Sequence, residues 1–316
     1  MVQGRRDRQR PARARVSPFV AVALAAALAA GAAEPAPTPP KKPVLREFPG
    51  EPVEFQTADG WTIAGRYSPS KEEDQLTFIL LHDGRGRLQN WAAFARKMTA
   101  RGVGYLAIDM RGHGLSTKAP AGKPANWREF IVSRRDNPYE GIREDIAAAA
   151  KFLESKGVPA EAVALGGADL GGSLALKYAA LHPEIAMVFI LSPGMSYRDI
   201  ATVNAVRAYK DRPILFVVAE DDRKSAAETA IMGQFARQAA GEMNVTVLTA
   251  ARGHGTRMLI FNKGLMDSIL EWVDTPVKAP ELDVSSDTLS GIEASTAPAD
   301  GQAPSGDPGD DPALND

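Results

Sequence analysis

At 316 residues, 44% of them hydrophobic, the chain can bury one sizeable core or two small ones. A formal net charge of −2, from 37 Lys and Arg against 39 Asp and Glu, excludes the basic footprint of a nucleic-acid-binding protein. The absence of cysteine excludes a disulfide, a thiol nucleophile and lipid attachment through a cysteine, so an exported form relies on its core for stability.

The chain opens on Arg5, Arg6, Arg8, Arg10, Arg13 and Arg15, followed by "VSPFVAVALAAALAAGAA", Val16 to Ala33. A basic start, an apolar run and small terminal residues predict a signal peptide over residues 1–33. The apolar run Phe19–Ala30 is short for a bilayer span, which favours cleavage. Retention as an uncleaved anchor is the alternative. Arg5-Arg6 forms a twin-arginine pair without the apolar motif expected after it. Residues 34–47 begin with "EPAPTPPKKP" and read as a Pro-rich linker, which forms neither helix nor central strand. The folded region is expected over residues 48–275.

Val53–Thr57 and Trp61–Tyr67 flank "ADG" and predict an antiparallel hairpin. Leu76–Leu81, Tyr105–Ile108, Val163–Leu165, Met187–Leu191, Ile214–Val218 and Val245–Leu248 are apolar runs of the length of buried parallel strands. Between them, Trp91–Arg101, Tyr139–Lys156, Gly172–Leu181, Ser225–Ala240 and Thr256–Val273 carry helical patterns. This alternation requires right-handed crossovers and a mostly parallel eight-stranded sheet with helices on both faces. Residues 276–316 are poor in large apolar groups, and from Glu281 onward acidic with no Lys or Arg. They predict a disordered tail.

In such a sheet the active groups collect beyond the carboxyl ends of the strands. There the chain carries "LLHDGRGRLQNW", "DMRGHGLS", "GGADLGG", "AEDD" and a second "RGHG", in that order. With these five segments on these loops, the folded region resembles the α/β-hydrolase family, without a full cap domain. The stretch between Ser192 and Pro213 is too short to hold one.

The resemblance implies a base at His254, on the loop after the last strand. A carboxylate to hold its tautomer falls at Asp222, with Asp221 beside it as the alternative. The nucleophile elbow, G-x-S-x-G in the family, has Asp169 in place of serine. The glycines around it remain, and Asp accepts a positive φ better than most side chains. The backbone N–H groups of Gly84 and Leu170 are the expected oxyanion hole. His82, His113 and His182 match positions that shape loops, and Ser116 and Ser173 read as structural serines.

Carboxylate attack on an ester carbonyl would give an anhydride more reactive than its substrate. Attack on saturated carbon gives an alkyl ester, which His254 then helps water to cleave. The family members that work this way use groups that are absent here: Leu170 follows the elbow instead of a tryptophan, and there is no cap tyrosine. Tyr197 is the one tyrosine expected near the site, as an acid, a substrate contact or loop packing. The segment Leu115–Pro138 is expected to form a partial lid. Asp83 stands where the oxyanion motif has glycine and is expected to bring negative charge to the hole, or Asp169 itself to fill it. Two readings follow: a hydrolase acting on a small molecule through Asp169, His254 and Asp222, or a catalytically silent binding or envelope-associated module. Neither requires a cofactor or a metal, a nucleic-acid partner, or a membrane span after signal cleavage.

Overall fold

A computed structural model describes residues 48–72 and 75–275. The expected signal peptide, linker and acidic tail lie outside the described residues. No helix among the described residues is long and apolar enough to cross a membrane.

The first two strands, β1 (Glu51–Gln56) and β2 (Thr62–Ser68), pair antiparallel. Their turn closes when the Trp61 N–H donates to Thr57 Oγ1 at 2.9 Å. Next come β3 (Thr77–Leu81), β4 (Gly104–Ile108), β5 (Val163–Ala168) and β6 (Val188–Leu191). A short hairpin, β7 (Ser196–Tyr197) with β8 (Ile200–Ala201), precedes β9 (Ile214–Ala219) and β10 (Val245–Ala250). The main sheet has eight strands in the order β1-β2-β4-β3-β5-β6-β9-β10, parallel from β4 to β10.

Every residue of β3, β4, β5, β6 and β9 is buried, because helices cover both faces. That is why these strands are written as continuous apolar runs. Side chains alternate across the sheet. Ile79 and Leu81 face the cluster built on α2 (Ile142–Ser155), α3 (Leu170–Leu181) and α5 (Arg223–Ala240). Phe78 and Leu80 face α1 (Ala92–Arg101) and α7 (Leu265–Asp274). Each such side chain contributes roughly 1.5–3 kcal/mol relative to exposure. Ordering the backbone costs about 1–2 kcal/mol per residue, so only dense apolar runs hold a sheet of this kind.

The expected hairpin, parallel strands and two helical layers are the ones observed. The helix expected over Thr256–Val273 is two helices, α6 (Met258–Phe261) and α7, separated at Asn262–Gly264. Asn262 leaves the helix to serve the preceding loop: its Oδ1 accepts from the Ala251 and Arg252 N–H groups, and its Nδ2 donates to Arg252 O. The helix expected from Tyr139 starts at Ile142, after a 3₁₀ turn over Pro138–Gly141. The β7–β8 hairpin and α4 (Val203–Ala208) lie in a stretch where the sequence shows no regular pattern.

β3 is flanked by β4 on one side and β5 on the other, so the chain reverses its direction of travel across the sheet here. The loops leaving β3 and β5 therefore separate above a shared crevice, the usual place for a ligand in an open parallel sheet.

Candidate active site

The turn from β5 into α3 is a single residue, Asp169, with φ 54° and ψ −119°. Its backbone is fixed from both sides. The Asp169 N–H donates to Leu191 O at 2.9 Å, and its carbonyl accepts the Ser173 N–H at 3.1 Å. Ser173 is buried and its hydroxyl also donates to Asp169 O, so it supports the turn from below. Gly171 lies so close to β3 that a Cβ there would sit 2.5 Å from His82 O. This contact seats the turn against the loop carrying Gly84.

His82 sets the direction of that loop. The Met110 N–H donates to His82 Nε2 at 3.1 Å, which leaves the proton on Nδ1, 2.7 Å from Asp83 O. The Asp83 carbonyl also accepts the Gly86 N–H at 2.7 Å. The Asp83–Gly84 peptide plane is thus held at its oxygen, and the Gly84 N–H on its other side donates to Asp169 Oδ2 at 3.1 Å. Complete burial, with the neighbouring His113, pushes His82 down to about 3, so it is a neutral spacer at ordinary pH.

His113, the histidine of the first "RGHG", is also buried. Its ring nitrogens face Arg111 O at 3.0 Å and Gly84 O at 3.2 Å, and its ring stacks on Trp127. Ser116 donates to Asp109 O and accepts the Ala64 N–H, as a loop-shaping serine does. His182 pairs with Glu184 and stacks on Tyr178.

Asp83 stands beside the hole, in the same pocket wall as Asp169 and close enough to feel its charge. Its carboxylate is half-buried and taken up by Thr256: Oδ1 accepts the backbone N–H at 3.1 Å and Oδ2 the hydroxyl at 2.5 Å. Burial, with the nearby charge of Asp169, raises its pKa against these bonds. Asp83 therefore ties the loop after β3 to the loop after β10. The carboxylate that reaches the Gly84 N–H is that of Asp169.

His254 sits on the loop after β10. Its Nδ1 is 2.6 Å from Asp222 Oδ2, and its Nε2 is 3.9 Å from Asp169 Oδ1. Of the two candidate partners, Asp222 pairs with the histidine, while Asp221 accepts the Gly253 N–H at 2.8 Å. Asp222 also receives the Ser225 N–H at the start of α5, so one carboxylate caps a helix and holds a ring. The Asp169 carboxylate, then that of Asp222, raise His254 to about 9 against partial burial.

A pocket of about 700 Å³ opens over these groups, with Asp169, Gly84, Leu170, Tyr197 and His254 in its wall. Leu170 begins α3, so its N–H has no partner within the helix, and its side chain packs on Gly84. Tyr197 lies 6.3 Å from His254, ring to ring. Its hydroxyl donates to Ser192 O at 3.2 Å, and burial with the surrounding carboxylates raises its pKa. The geometry thus gives its proton a local acceptor.

The expected partial lid does not line this pocket. Trp127 instead packs on His113 and Phe130 on Trp61, which turns the segment toward the β2 side. Arg85, Arg198 and Arg257 also line the pocket and were not among the residues the sequence singled out. Arg85 and Arg257 adjoin the oxyanion and base motifs, which was a usable signal; Arg198 had none beyond its neighbour Tyr197.

A family model described as alpha/beta hydrolase fold matches residues 77–212. No curated protein matches the chain. Among solved structures, an esterase of Pyrococcus furiosus is 16% identical with a TM-score of 0.57, covering 72% of this chain and 91% of that one. A soluble variant of the monoglyceride lipase of Saccharomyces cerevisiae is 12% identical with a TM-score of 0.55, covering 76% and 98%. An alpha/beta hydrolase from Penicillium sp. sh18 is 14% identical with a TM-score of 0.57, covering 72% and 98%. At these identities the likeness is one of fold.

Proposed function

The chain belongs to the α/β-hydrolase superfamily, and on that premise we propose that it is an exported hydrolase using Asp169, His254 and Asp222 on a small molecule. The observation that carries this reading is the divided role of the Asp169 carboxylate. Oδ2 is held by the Gly84 N–H, while Oδ1 faces His254 and accepts no hydrogen bond among the described residues. A carboxylate fixed at one oxygen by a backbone N–H and free of hydrogen bonds at the other is arranged as a nucleophile. Esterase and lipase activity in proteins of the same fold supports hydrolysis as the reaction class. The arginine-rich start and the apolar run Phe19–Ala30 support export.

In this mechanism an Asp169 oxygen bonds to a saturated carbon and the leaving group departs with its electron pair, giving an alkyl ester. Esterification removes the charge that does most to keep His254 protonated. The imidazolium then gives its proton to the departing group or to solvent, and only then is the imidazole a base. It takes a proton from water, the hydroxide adds to the ester carbonyl, and the Gly84 and Leu170 N–H groups stabilise the oxyanion. Collapse expels the alcohol oxygen, which takes the proton from His254. The Asp169 carboxylic acid so formed passes its proton to His254, and the starting carboxylate and imidazolium are restored.

One observation favours a second reading, a silent binding module: Asp169 Oδ1 is shielded from solvent while Oδ2 occupies the hole donor. Turnover of an epoxide, a haloalkanoate and p-nitrophenyl esters by wild type and Asp169→Asn separates the two. Epoxide or halide turnover abolished in Asp169→Asn is the outcome expected of the hydrolase. A wild type inert toward all three classes would leave the binding module.

A further inference from the structure

Arg85, Arg198 and Arg257 reach the same pocket wall from three separate loops, those after β3, between β7 and β8, and after β10. All three are exposed, and none forms an ion pair among the described residues. The carboxylates around them are already engaged. Asp83 binds Thr256, Asp221 binds the Gly253 N–H, and Asp222 and Asp169 flank His254.

Arg198 is presented at a cost in backbone energy. Tyr197 pairs with Ile200 across a two-residue turn, and both turn residues, Arg198 at φ 51° and Asp199 at φ 60°, are left-handed. Such turns normally use Asn-Gly, because a side chain with its Cβ is strained there. Strain persists where the surroundings enforce it. Here the Asn137 amide donates to Arg198 O at 2.7 Å, and the guanidinium lies 5.6 Å from the Tyr139 ring and 6.0 Å from that of Trp127.

We propose that these three arginines form an anion-binding rim, and that the molecule taken by this pocket carries a carboxylate or phosphate group. The description of that molecule as a substrate rests on the hydrolase reading; its charge does not. A guanidinium offers a planar fork matched to carboxylate and phosphate oxygens, and three from different loops can close on one such group. The carboxylates of the site would repel an anion placed at the floor. The anionic end therefore sits at the rim, and the uncharged part of the molecule points toward Asp169.

Isothermal titration of the full chain with glutarate, inorganic phosphate and neutral dimethyl glutarate tests this without requiring turnover. The expected result is saturable binding of glutarate or phosphate and none of the diester. Which of the two binds distinguishes an organic acid from a phosphate-bearing molecule. Replacing Arg85, Arg198 or Arg257 singly by Gln should weaken anion binding about ten-fold each. Raising salt from 0.05 to 0.5 M should weaken it too, since exposed charges are screened. Because the three side chains are exposed, the variants should melt as wild type does. Absent anion binding, diester binding as tight as that of glutarate, or a triple Gln variant that binds like wild type would overturn the proposal. Turnover of neutral epoxides without anion binding would remove it alone; anion binding without turnover would remove only the hydrolase.

Discussion

Asp169 Oδ2 accepts the Gly84 N–H at 3.1 Å, so the elbow side chain occupies a donor that a tetrahedral oxyanion would otherwise use. Serine has no second oxygen to reach it. Asp169→Ser should vacate the hole and leave a Ser-His-Asp set, with His254 held by Asp222 at 2.6 Å. The expected outcome is a gain of p-nitrophenyl acetate hydrolysis. An oxyanion donor is worth about 10²–10³ in rate, so the gain should far exceed background. Initial rates of Asp169→Ser beside Asp169→Ser/His254→Ala check it. Equal rates would mean that the hole, the base or both are out of place.

His254 should titrate near 9, and its principal cause is the carboxylate of Asp169. Asp169→Asn should bring it down toward 6.5, readable from the His254 Cε1–H resonance by NMR. The sign for stability follows from linkage. The folded pKa exceeds the unfolded one, so this contribution is complete below 6.5 and is lost as pH rises through about 9. Urea midpoints of wild type should fall between pH 6.5 and 9.5 relative to those of Asp169→Asn. Because His254 is half exposed, the difference will be modest.

The strands and helices were legible because burial on both faces writes them as continuous apolar runs and amphipathic repeats. Val163–Leu165 and Ile214–Val218 are examples, lying within strands in which every residue is buried. Asp169 and Gly84 were legible as motif positions, since the elbow and the loop after β3 have spacings set by their turns. The partner of Asp83 was not legible, because Thr256 lies 173 residues away and no local pattern reports where a carboxylate turns. The β7–β8 turn escaped notice for a related reason. Arg198-Asp199 lacks the Asn-Gly signature, and the conformation is imposed by tertiary contacts such as that of Asn137. The break at Asn262 likewise exists because the loop at Ala251–Arg252 uses its side chain.

The Asp83–Thr256 clamp predicts that Gly255 tolerates no side chain. Gly255 has φ 54°, and a Cβ there would lie 1.6 Å from Asp83 Oδ1. Gly255→Ala must displace the Asp83 carboxylate and with it the registry of the His254 loop. Misplacement by about 1 Å can cost 10²-fold in rate. Thr256→Val removes only the hydroxyl and should cost less. On an Asp169→Ser background with esterase activity, Gly255→Ala should lose at least an order of magnitude more than Thr256→Val. Equal losses would show that the clamp does not set the His254 loop.

The first "RGHG" turn is held by a buried ion pair whose loss should be felt in both stability and the hole. The Arg111 side chain is 5% exposed and contacts Asp145, which is fully buried, at 2.7 Å; Asp145 also accepts the Arg111 N–H at 2.8 Å. Asp59, on the outer side of the same guanidinium, is 44% exposed. Removing one partner of a buried pair costs about 3–5 kcal/mol where the other charge is left alone. Asp59 still binds Arg111 when Asp145 is lost, which trims that cost. The half-exposed Asp59 carboxylate is solvated in part and contributes less. Asp145→Ala should therefore lower the urea midpoint sharply and Asp59→Ala slightly. From Arg111 the turn leads to His113, whose Nε2 faces Gly84 O at 3.2 Å, so Asp145→Ala should also loosen the Gly84 peptide. Amide hydrogen exchange of the Gly84 N–H, which donates to Asp169 Oδ2, reads whether that loosening reaches the hole. Faster exchange in Asp145→Ala, unchanged in Asp59→Ala, is expected; equal protection would confine the ion pair to a role in stability.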